Sequence, residues 1–273
     1  MTQEVMIGIC QLAVETDKAA NVKKALRLIG QAAERGCRIV VLPEMFNCPY
    51  TAALFPQYAE RWPEGPTLQT LSRAAAEHQI TLVGGSVPER DDSGNVYNTC
   101  FIFDAAGRLA GRHRKIHLFD VNITNGTVFQ ESATLTAGRE VTVVTTPDIT
   151  LGVAICYDVR FPELARKMAQ LGAQLLVYPA AFGPVTGPAH WELLMRMRAV
   201  DNQVFVAAAA PALNPQAEYK TYGHSLVVNP WGEVIAGTDE QEGLLTAVLD
   251  LGRIGKVREE LPVLRHRRPE IYP

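Results

Sequence analysis

Two reactive side chains stand where apolar runs end. Glu44 follows Ile39-Val-Val-Leu-Pro43, and Cys156 follows Leu151-Gly-Val-Ala-Ile155. A carboxylate can take the proton of a thiol, and the thiolate can then attack an electrophilic carbon. Such chemistry also needs positive charge against the oxyanion that develops. Lys115, in Arg112-His-Arg-Lys-Ile-His117, is a candidate for that cation, although alone it reads as an ordinary surface lysine in a basic run. Histidine is the usual base for a cysteine nucleophile. His78, His113, His117, His190, His224 and His266 show neither a local Cys/His signature nor metal-ligand spacing, and are read as structural or surface residues. Cys156 also precedes a segment that Pro162 opens as a helix, and a helix N-terminus or a cation lowers a thiol pKa. Cys10, Cys37 and Cys100 lie in or beside strand-like runs and read as small buried hydrophobes. Cys48 lies in a loop with no motif around it.

The elements that must position these groups alternate between strand and helix. Val5 to Leu12 is a short apolar run, then Asp17 to Arg35 switches to helical period with Val22, Ala25, Ile29 and Ala32 on one face. Gly36 is a stop signal, and Arg38 to Leu42 is the strand that delivers Glu44. Met45 to Pro66 reads as a loop, Thr67 to His78 as a helix, and Ile80 to Val87 as one strand. Strands over Val96–Phe103 and Leu109–Lys115 lead into a long irregular stretch, His117 to Arg139. Loops of that length in compact folds are usually functional or mobile. Val141–Thr146 and Ile149–Cys156 are further strands, and Pro188 opens a helix to Asn202. Gln174–Tyr178, Val204–Ala210, Ser225–Asn229, Glu233–Ala236 and Leu244–Leu249 complete the strands, and Arg265-His-Arg-Arg268 reads as a solvated basic tail. Gly36-Cys-Arg-Ile-Val-Val-Leu-Pro-Glu-Met-Phe46 parallels Gly172-Ala-Gln-Leu-Leu-Val-Tyr-Pro-Ala-Ala-Phe182, about half the chain apart. Each follows a helix, which predicts two similar halves that differ where Glu44 aligns with Ala180.

Composition narrows the classes. The chain has 273 residues, 47% hydrophobic and 20% charged, with a net charge of −3. Those values fit a globular protein with a core of its own and argue against a polyanion binder. Five cysteines without a CxxC pair suggest free thiols in a reducing, cytoplasmic setting. No basic region precedes an apolar run near the N-terminus, and no apolar run reaches the ~18 residues of a membrane span, so neither an export signal nor a membrane anchor is expected.

Leu42-Pro-Glu-Met-Phe46, His113-Arg-Lys-Ile-His117 and Ile155-Cys-Tyr-Asp-Val-Arg-Phe161 resemble, in order, the three signature blocks of the nitrilase, or carbon–nitrogen hydrolase, superfamily. The resemblance runs from Ile7 to about Tyr272. It implies an α/β fold, an α-β-β-α sandwich of two similar halves, as a single domain over residues 1–273. It implies Glu44 as general base, Lys115 as the cation for the tetrahedral intermediate and Cys156 as nucleophile. It adds a second carboxylate, Glu131 in Phe129-Gln-Glu-Ser132. It also implies assembly into a homodimer or larger homo-oligomer, and no metal or organic cofactor.

Phe46-Asn-Cys-Pro-Tyr50, Lys115-Ile-His-Leu-Phe-Asp120 and Ala199-Val-Asp-Asn-Gln203 look like the omega-amidase branch, which hydrolyses the side-chain amide of 2-oxo acids such as 2-oxoglutaramate. Phe161-Pro-Glu-Leu164, Ala181-Phe-Gly183 and His266-Arg-Arg-Pro269 are similar to the deaminated glutathione amidases. The loops of Tyr50 and Phe119 should lie nearer the pocket, which favours the first. A substrate of that kind needs a clamp for its remote carboxylate, and Arg160 and Tyr50 flank catalytic blocks. Arg160 could equally pair with Asp158 or Glu163. Phe119 and Phe182 are candidate pocket walls. A catalytically silent binding or scaffold protein on the same fold is the reading from a different class.

Overall fold

The computed structural model describes residues 4–124 and 127–272. In the first half, β1 (Glu4–Gln11), α1 (Lys18–Glu34), β2 (Ile39–Val41), α2 (Phe55–Tyr58), α3 (Pro66–His78), β3 (Thr81–Val83), β4 (Val87–Arg90), β5 (Val96–Phe103) and β6 (Leu109–Arg114) follow in order. A small hairpin, β7 (Asp120–Asn122) with β8 (Val128–Gln130), leads to the second half. There β9 (Thr142–Thr145), β10 (Thr150–Val153), α4 (Pro162–Gln170), β11 (Leu175–Pro179), α5 (Thr186–Asn202), β12 (Phe205–Ala209), β13 (Leu226–Val228) and β14 (Val234–Gly237) precede β15 (Gly243–Asp250) and α6 (Gly252–Glu260).

Each half builds one sheet on the same plan. Three parallel strands, β1-β2-β3 in one sheet and β10-β11-β12 in the other, are flanked on both sides by antiparallel strands. β2 and β11, the two matching sequence segments, are the central strands of the two triplets. Gly36 and Gly172, which match in those segments, both take positive φ just past a helix, at +82° and +98°. β15 returns from the second half to complete the first sheet beside β1.

Strand period sorts the side chains into layers. Val5, Ile7, Ile9, Ile39 and Val41 face the second sheet and join one core with Leu151, Val153 and Val177. Cys10, Val40 and Leu42 point the other way, into a second core with Leu28, Ile29 and Leu71 of α1 and α3. Met168 of α4 and Trp191 and Met195 of α5 cover the outer face of the second sheet. The layers are therefore α-β-β-α. Close helix–sheet approach needs a missing side chain: a Cβ on Gly8 of β1 would lie 2.9 Å from Ala32 Cβ of α1.

Several boundaries differ from expectation. Ile80 to Val87 is two strands, because Gly84-Gly85-Ser86 turns the chain, with Gly85 at φ +62°. The strand expected over Ile149–Cys156 stops at Val153. The stretch 45–66 contains α2, and α6 carried no expectation. The irregular stretch 117–139 contains the β7–β8 hairpin and a helical turn, Glu131–Ala133; residues 125 and 126 within it lie outside the described residues, as do residues 1–3 and 273 of the expected domain. α5 begins at Thr186, with Pro188 inside its first turn, where the absent N–H removes no helical bond. No helix among the described residues is long and apolar enough to cross a membrane.

Candidate active site

Glu44 lies three residues beyond β2, and Cys156 three beyond β10, at the C-terminal ends of parallel strands in different sheets. The carboxyl ends of parallel strands are where α/β folds build sites. The Glu44 turn is held from behind by Gly84-Gly85-Ser86. Ser86 N donates to Pro43 O at 3.1 Å, and Met45 N donates to Ser86 Oγ at 3.0 Å. A Cβ on Gly85 would lie 2.2 Å from Pro43 O, so the approach requires glycine. Cys156 sits at φ +47°, the left-handed region that costs a non-glycine residue about 1–3 kcal/mol. It opens a helical turn, Cys156–Arg160, directly before α4. Lys115 follows β6 and pairs with β5 through its backbone N–H to Asn98 O at 2.8 Å.

Lys115, Glu44 and Glu131 meet with their side chains fully shielded from solvent. Lys115 Nζ lies 2.9 Å from Glu44 Oε1 and 2.9 Å from Glu131 Oε1. Glu44 Oε1 also accepts from Asn98 Nδ2 at 2.8 Å. Tyr50 Oη is 2.9 Å from Glu131 Oε1 and 3.3 Å from Glu44 Oε1, so its single proton favours Glu131. Phe119 N donates to Glu131 Oε2 at 2.7 Å. Glu44 Oε2 takes no hydrogen bond among the described nitrogen and oxygen donors. That leaves one carboxylate oxygen for the Cys156 thiol, which interacts with the same carboxyl group.

The charges bias one another. Burial raises the Glu44 pKa above its ordinary value; Lys115 opposes that and Glu131 adds to it. Burial works against the Lys115 ammonium, but Glu131, Glu44 and Cys156 outweigh it and hold the pKa well above the usual lysine range. The Cys156 thiol is pushed up by burial and by Glu44, against Lys115 and a hydrogen bond from Ala181 N at 3.5 Å. This corrects the expectation that a helix end and a cation would leave a depressed thiol: the cation is there, but it is outweighed. Cys10, Cys48 and Cys100 are buried with pKa values raised by desolvation, and desolvation pushes Cys37 up to about 11.

The proposed binding residues fall in different places. The hydroxyl of Tyr50 is engaged by the carboxylates, and its ring lies 4.8 Å from that of Tyr219. Tyr219 was not anticipated, since nothing near it in the sequence marks it; its hydroxyl donates to Ala181 O at 2.9 Å. Tyr50, Phe129, Gln130, Pro184, Tyr219 and Lys220 line a cavity of about 620 Å³. Phe119 packs against Phe129 and Tyr157, and Phe182 against Trp191. The Arg160 guanidinium lies 5.1 Å from the centre of the Phe182 ring and 3.4 Å from His190 Nδ1. Its Nε is buried without a partner. Asp158, which could have paired with Arg160, instead accepts from His113 and His117. Among the described residues no His, Cys, Asp and Glu cluster is arranged to hold a metal ion.

The family model described as carbon–nitrogen hydrolase matches residues 6–259. The chain is 49% identical to the Homo sapiens protein named omega-amidase NIT2 over 266 residues, covering 97% of this chain and 96% of that one. It is 50% identical to omega-amidase NIT2-B of Xenopus laevis over the same length and coverage. Among solved structures, Saccharomyces cerevisiae Nit3, described as a member of branch 10 of the nitrilase superfamily, superposes with a TM-score of 0.91 at 42% identity, covering 97% of each chain. Sequence blocks, sandwich and whole-length likeness agree, and the chain belongs to the carbon–nitrogen hydrolase family.

Proposed function

We propose that this protein is an omega-amidase that hydrolyses the side-chain amide of small 2-oxo acids to the 2-oxo dicarboxylate and ammonia. The observation that carries this reading is the convergence of Glu44, Lys115 and Glu131 beside Cys156, in a chain 49% identical to omega-amidases over nearly its whole length. Glu44 takes the Cys156 proton as sulfur attacks the amide carbon. A thiol pKa raised by burial makes a standing thiolate unfavourable, so proton transfer belongs with the attack. Lys115, kept charged by both carboxylates, faces the developing oxyanion; one such contact is worth ~10²–10³ in rate. Glu44 returns the proton to the leaving nitrogen, and ammonia departs from a thioester on Cys156. Water, deprotonated at Glu44, then cleaves the thioester and restores the thiol. Glu131 is oriented by the Tyr50 hydroxyl and holds Lys115, which joins it to Glu44.

Arg160 is the candidate clamp for the remote carboxylate, supported by its buried unpartnered Nε beside Phe182. One domain spanning the chain carries the site. The protein acts as a homodimer, or a larger assembly built on that dimer, in a reducing, cytoplasmic compartment. The dimer is supported by α5, which exposes Leu193, Met197 and Val200 in an i, i+4, i+7 stripe on the side away from the sheet. The test is ammonia release by the purified protein from 2-oxoglutaramate and from deaminated glutathione, compared as kcat/KM. At least tenfold preference for 2-oxoglutaramate is expected. Preference for deaminated glutathione, or no release from either, overturns the assignment.

A further inference from the structure

Lys115 and Cys156 come from different sheets, and apolar packing between sheets is non-directional. Something with fixed geometry must set their separation, and one buried carboxylate spans the gap. Asp158 Oδ2 accepts from Ile155 N at 3.0 Å, directly before the left-handed Cys156. The same oxygen lies 3.1 Å from His113 Nε2, two residues before Lys115. Asp158 Oδ1 accepts from His117 N at 2.9 Å and lies 2.7 Å from His117 Nδ1, two residues after Lys115. A carboxylate only accepts, so His113 carries its proton on Nε2 and His117 on Nδ1. The far side of His113 is fixed by Thr142 Oγ1 at 3.0 Å, from β9, and the His117 ring stacks on Phe161 at 3.6 Å. Asp158 is 1% exposed, so these four donors satisfy it in place of water.

We propose that Asp158 is a positioning residue, whose two oxygens lock the backbone before the nucleophile to both flanks of the catalytic lysine. The proposal rests on the amidase reading of the site above. It acts through Lys115 and Cys156 and touches no substrate. Misplacement of reacting groups by ~1 Å can cost about 10²-fold in rate.

The test is Asp158→Asn, in which an NH2 group must meet a backbone N–H, of Ile155 or of His117, in either orientation. The expected result is a fall in kcat of about 10²-fold, with KM within threefold of the unmodified protein. Iodoacetamide alkylation of Cys156, followed by mass spectrometry, should slow in parallel. His117→Phe serves if Asp158→Asn does not fold: it keeps the stack on Phe161 and removes one donor. It should lose about tenfold in kcat, at the scale of one hydrogen bond, and His117→Asn, which restores a donor near the Nδ1 position, should recover most of it. A soluble variant with unchanged kcat and alkylation rate, a loss confined to KM, or no recovery in His117→Asn overturns the positioning role alone. An unmodified protein that releases ammonia yet is not inactivated through Cys156 overturns the parent reading, and this one with it.

Discussion

Lys115 Nζ stands 2.9 Å from Glu44 Oε1 with neither side chain exposed to solvent. A buried ammonium between two carboxylates is tolerable only because all three groups compensate one another, and removing the cation leaves charge with no partner. Lys115→Ala should therefore lose turnover and stability together, the stability loss reaching about 3–5 kcal/mol. Its pH dependence separates the two. The Glu44 pKa is already raised above 4.5 in the folded protein, and it rises further without Lys115. A raised carboxyl contributes stability that is complete below its unfolded value and is lost as pH rises through the folded value. The melting temperature of Lys115→Ala should climb toward that of the unmodified protein as pH falls from 8 toward 5, while kcat stays low throughout. A constant gap in melting temperature would show that the lysine acts by shape alone.

Cys156 combines the sulfur with a left-handed backbone. Cys156→Ala should abolish ammonia release with the fold intact. Cys156→Gly should be equally inactive and more stable than Cys156→Ala by about 1 kcal/mol, because glycine adopts positive φ without a Cβ penalty. Denaturant titration of the two variants reads the difference. Ammonia release by pure Cys156→Ala would remove the residue from the mechanism.

The parts legible in the sequence were those carried by local pattern. Short apolar runs gave β1, β2 and β11, helical period gave α1, and Gly36 and Gly172 marked matching helix ends. Glu44 and Cys156 could be picked out because a polar residue ending an apolar strand is conspicuous. Glu131 was reached only through the family resemblance, since its place in the site depends on a long connection folding back until Phe119 N reaches its carboxylate. Gly84-Gly-Ser86 lay inside what read as one strand; its work is to hold the Glu44 turn, a contact between residues about 40 positions apart that spacing does not reveal. His113 and His117 were read as structural, but their shared partner Asp158 needed three dimensions.

Tyr50 and Arg160 should separate in kinetics. The Tyr50 hydroxyl donates to Glu131, which in turn holds Lys115, so Tyr50→Phe should lower kcat by about tenfold, at the scale of one charge-assisted hydrogen bond, with KM little changed. Arg160 lies over Phe182 with an unused Nε, so Arg160→Met should raise KM for 2-oxoglutaramate by about 10²-fold and leave kcat nearly intact. Steady-state kinetics on the two variants checks both. The reverse split would move the carboxylate clamp from Arg160 to Tyr50.

The exposed stripe of α5 predicts the oligomer. Leu193 is 60% exposed, and Arg196, between it and Met197, is tied by its Nε to Gly232 O at 2.8 Å. That bond sets the hairpin carrying exposed Trp231 against the same helix, extending the apolar face. A double substitution, Leu193→Glu with Met197→Glu, places two charges on it. The mass measured by light scattering should fall from dimer to monomer, without change in the circular dichroism of the fold. A dimer that survives the double substitution would place the interface elsewhere.

Gly85 carries the sharpest local test of how the base is held. Its φ of +62° disfavours any side chain, and a Cβ would sit 2.2 Å from Pro43 O, which is backbone and cannot swing aside. Gly85→Ala must therefore push the Pro43–Glu44 turn away from Ser86, breaking the bonds from Ser86 N to Pro43 O and from Met45 N to Ser86 Oγ. The expected cost is about 2–4 kcal/mol from strain and lost hydrogen bonds. Because Glu44 moves with the turn, kcat should fall by at least 10²-fold even in the fraction that remains folded at low temperature. Ser86→Ala loses only the hydroxyl contact and leaves the backbone path open, so it should retain much more activity. Equal activity in Gly85→Ala and the unmodified protein would mean that Glu44 is positioned by its side-chain contacts to Lys115 and Asn98 and not by the turn.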